Sequence, residues 1–339
     1  MKTIFKEMIA WYLTGENKKT NATYEIEEIL IFARKHRIEG LAIDWILANI
    51  GISSDEVQKL LDRRDELLEV AEEYEKLKKE LAVHLNNTGI SYVFLKGVSL
   101  DCRVYKKKYH RQFADIDILS TEKDLEKIET ILKHKGFIQG DYKEGKIIPA
   151  DREKIIFQRM YTHEIYSYMR VYGDMCQSVD VNFKFSWNGI ENEYEYMKDI
   201  PGSAVLISNN LDVEDGCSYF DKELQFIHLC CHLYNELNFV ELELNSVTTW
   251  KERFRLSWLL DIILIIENTA INWSRVLEIC SAYGCDYKIE FTLTLICEIY
   301  DLDNAIKEKI NCKSERIHFF YNAEKKRIKK NLNWIEGII

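Results

Sequence analysis

The stretch YVFLKGVSLDCRVYKKKYHRQFADIDILS, residues 92–120, decides how the rest of the chain is read. Tyr92 to Leu95 is a continuous apolar run, the pattern of a strand covered on both faces. Lys96-Gly97 ends it at a turn tight enough to approach a phosphate. A helix is predicted from Val98 to about Tyr105, and its N-terminus would supply oriented N–H groups and a positive dipole end, which hold phosphates without side chains. A second strand is predicted from Phe113 to Leu119, with Ala114, Ile116 and Ile118 on one face and Asp115 and Asp117 on the other. Two carboxylates projecting together repel unless compensated, and a hard divalent cation with oxygen ligands is the usual compensation. Lys96 reads equally as a phosphate ligand and as an ordinary lysine at a strand end. Just upstream of the aspartates, Lys106, Lys107, Lys108, His110 and Arg111 are placed either to clamp a triphosphate, Arg111 foremost, or simply to be solvated.

Moving outward toward the N-terminus, Ser53 to Asn87 carries the longest helical pattern. It opens with the capping box Ser53-x-x-Glu56, carries Leu60, Leu67, Ala71, Tyr74, Leu77, Leu81 and Leu85, and stops at Gly89. At about 1.5 Å per residue it is roughly 50 Å long. Its stripe wanders between spacings of three and four, which favours packing within the chain over a coiled-coil partner. Residues 1 to about 50 read as short packed helices with no chemistry of their own. In the other direction, Thr121-x-x-Asp124 resembles a capping box for a helix ending near Gly136, and Gly140 to Lys154 reads as a loop. Thr162 to Val171 and Ser178 to Trp187 read as antiparallel strands joined through Gly173-Asp174. In the second, Val179, Val181, Phe183 and Phe185 share one face and Asp180 lies on the other. Asp180 is the candidate third carboxylate, with Glu164 and Asp174 as alternatives.

From Lys222 the pattern is helical again. His228, Cys230, Cys231 and His232 lie in an apolar helix without the paired spacing of a zinc site and read as core. Lys251, Arg253 and Arg255 read as a solvated helix start, and the basic run from Glu324 to Leu332, with Lys325, Lys326, Arg327, Lys329 and Lys330, as a solvated helix. The 339 residues include two prolines, 14 glycines and 30% charged residues, which predicts a helix-rich protein. A net charge of −10 argues against duplex DNA as a partner. Nine scattered cysteines, and a start in which Met1-Lys2-Thr3 leads directly into an amphipathic segment, predict a reducing cytoplasm. Trp258 to Ile266 is too short for a bilayer, which needs about 20 residues, so no membrane partner is expected.

At Leu95-Lys96-Gly97, Arg111 and Asp115-Ile116-Asp117 the chain resembles the polymerase β-like nucleotidyltransferase superfamily. Within it, the resemblance is to a poorly characterised bacterial branch that has an Arg upstream of Asp-Ile-Asp and a later hydrophobic-Asp strand. It spans about residues 80 to 300 and takes in Leu259-Leu260-Asp261 and Asn272-Trp273. The superfamily's usual turn is Gly-Ser, whereas Val98 follows Gly97 here and the first hydroxyl is Ser99; Asn182 stands where the branch has a histidine. The resemblance implies an α+β fold: a minimal mixed sheet flanked by helices, with an N-terminal helical region (1–88), a catalytic domain (89–200) and a C-terminal helical domain (201–339). It implies transfer of a nucleoside monophosphate from an NTP to a hydroxyl or similar acceptor, with release of pyrophosphate. Asp115, Asp117 and Asp180 would hold Mg²⁺ or Mn²⁺, and Lys96, Gly97, Ser99 and Arg111 would hold the NTP. The acceptor, whether small molecule, peptide, protein or RNA, has no motif of its own. Two competing readings are a nucleotide-binding module whose chemistry has lapsed and a helical scaffold forming a homodimer through Ser53 to Asn87.

Overall fold

Tyr92–Leu95 is the strand the apolar run predicts (β1), and all four residues are buried because the sheet is covered on both faces. The computed structural model describes residues 2–17, 25–185, 203–238 and 254–300 and two short strands, 319–321 and 327–329. β1 pairs antiparallel with β2 (Asp115–Ser120), so that Leu95 lies opposite Asp117. β2 in turn pairs parallel with β6 (Met175–Asn182), placing Asp117 beside Asp180. The sheet continues on this side through β5 (Tyr168–Tyr172), β3 (Ile138–Lys143) and β4 (Lys146–Pro149). On the other side of β1 stand β8 (Cys217–Phe220) and β7 (Leu211–Glu214), giving a mixed eight-stranded order β4-β3-β5-β6-β2-β1-β8-β7. β7 and β8 come from beyond residue 200, so the sheet draws strands from both sides of that position.

Alternation along the strands sorts two cores. Phe94, Ile116, Ile118, Val179 and Val181 pack on one face with α4 (Ser54–Asn87) and α6 (Leu125–His134). Val93, Leu95 and Leu119 pack on the other with α1 (Lys2–Thr14), α2 (Ile26–Lys35), α3 (Glu39–Asn49) and the helices of the C-terminal half. The latter are α8 (Ser203–Asn209), α9 (Lys222–Asn238), α10 (Leu256–Asn268), α11 (Trp273–Tyr283) and α12 (Asp286–Ile299). Because side chains alternate across a strand, Asp117 and Asp180 face this second, helix-covered side.

The capping box opens α4 as expected: Ser53 Oγ accepts from Glu56 N–H at 3.3 Å and Glu56 Oε2 accepts from Ser53 N–H at 2.8 Å. Its apolar stripe serves both cores in turn, Leu60 and Leu67 in one and Ala71 to Leu85 in the other. α3 is buried nearly all round, and at Gly40 a side chain would collide with the carbonyl of Tyr109.

Three expectations are corrected. Gly140 to Lys154 is not a loop but the hairpin β3–β4, turned at Glu144 (φ 50°) and Gly145 (φ 80°), followed by α7 (Arg152–Tyr161), whose N-cap Asp151 accepts from Lys154 N–H at 2.8 Å. The paired positive φ values are those of a primed hairpin turn, and the Glu-Gly here hides that signal because Asn-Gly or Asp-Gly is its usual form. Thr162 to Val171 is a strand only from Tyr168, since Glu164 makes an isolated bridge to Asn182 instead. Near the C-terminus Arg327–Lys329 (β10) is a strand rather than part of a helix, paired with the aromatic β-formers Phe319–Tyr321 (β9). Lys325, Lys326, Lys330, Lys251 and Arg253 lie outside the described residues. Among the described residues no helix is long and apolar enough to cross a membrane.

Candidate active site

At the end of β1 the backbone turns through two left-handed residues, Lys96 (φ 33°) and Gly97 (φ 28°, ψ −110°), into α5 (Lys96–Val104). A Cβ at Gly97 would lie 3.3 Å from that of Phe113, so the position needs glycine on both conformational and steric grounds. The turn swings Lys96 Nζ onto Asp117 Oδ1 at 3.0 Å. Ser99 is buried and donates to the Lys96 carbonyl at 2.6 Å, so its hydroxyl braces the turn.

Around this ion pair the structure brings together Asp115, Asp117, Asp180 and Glu164. Asp117 is 5% exposed; burial pushes its pKa up and Asp115 adds to that, against the pull of Lys96 and Arg111. Asp180 is raised well above the usual carboxylate range, by burial first and then by Glu164, Asp117 and Asp115. Ser167 hydrogen-bonds Asp180, while Asp180 Oδ1 is buried without a partner. Glu164 accepts from Gln158 Nε2 at 3.0 Å and is pushed up to about 7, by burial and then by repulsion from Asp117, Glu236 and Asp115, with Lys96 opposing. Of the alternatives for the third acid, Glu164 thus joins Asp180 at the site. Asp174 is exposed at the β5–β6 turn, six residues from Asp180 along an extended strand.

The helix face over this site was not legible as such. His228 and His232 of α9 stand one turn apart with rings 6.5 Å apart and nearly parallel, and His232 Nδ1 lies 3.9 Å from Glu236 Oε1 in the next turn. Burial holds His228, His232 and His163 neutral, and the positive charge of Lys96 adds to this in all three. Cys230 and Cys231 behave as predicted and belong to the apolar core. The spacing His228-x₃-His232-x₃-Glu236 was the available signal, masked by the cysteines between.

The basic loop is docked onto helices. Lys106 bonds Tyr12, its N–H donating to the Tyr12 hydroxyl and its ammonium to the Tyr12 carbonyl. Lys107 Nζ and His110 Nε2 meet Asp44 Oδ2 at 2.7 and 2.8 Å, and Tyr109 adds its hydroxyl at 3.0 Å. Burial alone would raise Asp44, but hydrogen bonds from His110 and Lys107 hold it at about 2. Arg111, expected at the phosphates, is instead buried against Asp261 of α10. Its Nε and Nη2 lie 3.1 and 3.0 Å from the two carboxylate oxygens, Nη1 bonds the Gln112 carbonyl at 2.8 Å, and Tyr105 donates to Asp261 at 2.6 Å. The acids at 44 and 261 are buried and need paired cations, and Lys107 and Arg111 supply them.

As a cation site the four acids have suitable chemistry: carboxylate oxygens, one of them the orphaned buried Oδ1 of Asp180, driven toward protonation when no further positive charge is present. Among the described residues no three His, Cys, Asp or Glu side chains already converge as a metal cage.

Among solved structures, the chain is similar to an antigenic nucleotidyltransferase-like protein from Paracoccidioides brasiliensis, with 17% identity over 70% of this chain and 94% of that one and a TM-score of 0.37. No curated protein sequence matches it. The profile of a family described as uncharacterised nucleotidyltransferase matches residues 23–301, and the chain belongs to that family.

Proposed function

We propose that the protein transfers a nucleoside monophosphate from an NTP to a hydroxyl or similar acceptor, with pyrophosphate leaving. The observation that carries this is the register of Asp117 beside Asp180 on neighbouring parallel strands, next to the Lys96-Gly97 turn. A divalent cation, Mg²⁺ or Mn²⁺, held by Asp115, Asp117 and Asp180 would neutralise the triphosphate and acidify the acceptor hydroxyl. The Gly97 turn and the first N–H groups of α5 receive the phosphates, and Lys96 adds an ammonium to them. Ser99 and Arg111 act at one remove: Ser99 fixes the turn, and Arg111 fixes the loop leading into β2. Glu164, with a pKa near neutrality, is suited to take the acceptor's proton.

Acceptor and nucleotide then approach from different sides. A cleft of about 670 Å³ lies between α7 and β3–β5, lined among others by Asp141, Lys154, Phe157, Gln158, Ser167 and Met169. Gln158 and Ser167 reach from its wall to Glu164 and Asp180, so a group bound there stands next to the acids. On this reading acceptor choice lies with the cleft rather than with the C-terminal helices.

A second reading, a nucleotide-binding module without turnover, draws on Asn182. It is buried, with its amide directed at the Ile118 carbonyl at 3.5 Å, and replaces an imidazole with a group that does not titrate. Calorimetric titration with each NTP, with and without Mg²⁺, on the wild type and on Asp115→Asn/Asp117→Asn tests the site. Metal-dependent binding that disappears in the double variant, with an unchanged circular dichroism spectrum, is the expected result. Binding that survives the double substitution would remove the assignment, and conversion of α-labelled NTP separates transfer from binding alone.

A further inference from the structure

Lys96 does more in the nucleotide-free protein than a phosphate ligand needs to. Its backbone is left-handed at a position other than glycine, next to a second left-handed residue, and this geometry folds its side chain back over β2. There its ammonium meets Asp117 Oδ1 at 3.0 Å, with the Lys96 side chain one-fifth exposed and the Asp117 side chain 6%. The pair is surrounded by acids: Asp115, Glu164, Asp180 and Glu236 all act on Lys96 or on the carboxylates beside it. The other cation acting on Asp117, Arg111, is already bound to Asp261. Lys96 therefore places a positive charge among these acids, where a metal would also place one.

We infer that Lys96 is an internal stand-in for the metal, which closes Asp117 to a free divalent cation and leaves it only when a nucleotide's phosphates offer its ammonium a new partner. This rests on the metal-and-nucleotide reading given above. The physical reason is the ammonium's own charge: at 3.0 Å from Asp117 Oδ1 it already neutralises that carboxylate and repels a second cation approaching it. A metal arriving alone must work against this repulsion or displace Lys96 within a buried, strained turn. A metal arriving with a triphosphate meets no such obstacle, because the phosphate oxygens receive Lys96 as the metal takes Asp117. The consequence is thermodynamic coupling: metal and nucleotide each raise the other's affinity, and Lys96 is the group through which they do so.

Electron paramagnetic resonance titration of Mn²⁺ tests this without turnover, using α,β-methylene-ATP, whose scissile bridge is blocked. The proteins are wild type, Lys96→Met, Lys96→Gln and Asp115→Asn/Asp117→Asn, each checked for its thermal transition. Wild type should bind Mn²⁺ alone weakly and gain affinity on the order of tenfold or more when the analogue is added. Lys96→Met should bind Mn²⁺ alone more tightly than wild type, by a factor of similar order, and show little further gain from the analogue. Lys96→Gln, which keeps a hydrogen-bond donor but no charge, should behave as Lys96→Met does. Equal Mn²⁺ affinity in wild type and in both Lys96 variants would overturn the inference while leaving a metal site in place. Absence of Mn²⁺ binding in all of them, with and without the analogue, would overturn the parent reading and this inference with it.

Discussion

Burial first, and then repulsion from Asp117, Glu236 and Asp115, pushes the pKa of Glu164 up to about 7, so this carboxyl changes charge near neutral pH. A carboxyl whose folded value lies above its unfolded one favours the folded state while both are protonated, below about pH 4.5. That contribution is lost as pH rises through 7. The metal-free protein should therefore lose stability between about pH 5 and pH 8, and Glu164→Gln should flatten that loss by about 1–3 kcal/mol at pH 8. Thermal melts of both proteins across this range in a chelating buffer measure it, and parallel curves would exclude Glu164 as the titrating group. At this scale the sequence was informative where chemistry is local. The Lys96-Gly97 turn and the alternation of Asp115 and Asp117 could be read directly. Asp180 followed from the period of β6, whereas Glu164 could only be an alternative, because an isolated bridge to Asn182 leaves no periodic pattern.

α4 was legible along nearly its whole length because capping box and stripe agree, yet its most useful contact was not. Tyr74 donates to the Ala114 carbonyl at 2.5 Å, and the Cys176 carbonyl lies 3.4 Å away, so one helical side chain joins the starts of β2 and β6. Its ring also packs edge-on against Phe113 at 5.3 Å. Tyr74→Phe keeps the ring and removes the buried donor, which should cost about 1–2 kcal/mol in urea unfolding. Because β2 carries Asp115 directly after Ala114, the same change should weaken metal-dependent nucleotide binding. An unchanged unfolding midpoint would mean the hydroxyl is dispensable. The hairpin β3–β4 and α7 escaped prediction for the opposite reason, since their apolar residues are not on a buried face: Phe157 is 58% and Met160 63% exposed. Helical periodicity reports burial in the chain's own core, so an element that lines a cleft gives only a weak pattern.

For the molecule as a whole, the pattern of periods marks helices before and after a strand-bearing stretch, and the resemblance implies the α+β class. The sheet's last two strands and the contacts that join the halves follow from neither, because they link positions far apart in the chain. Arg111 and Asp261 are the clearest case. Each is an ordinary charged residue in its own segment, and only folding makes them a buried pair that ties the loop before β2 to α10, with Tyr105 as third partner. This assignment competes with the expectation that Arg111 clamps a triphosphate, and stability separates the two. Removing one member of a buried pair strands the other charge, so Arg111→Met should lower stability by about 3–5 kcal/mol. Arg111→Met/Asp261→Leu should be more stable than Arg111→Met, because the stranded carboxylate is gone and what remains is an unpaired Tyr105 hydroxyl, a penalty of about 1–3 kcal/mol. Urea unfolding of the wild type, both single variants and the double variant gives the coupling energy directly. If Arg111→Met instead kept wild-type stability and lost nucleotide binding, the guanidinium would belong to the phosphates; the buried geometry at Asp261 predicts the reverse order of effects.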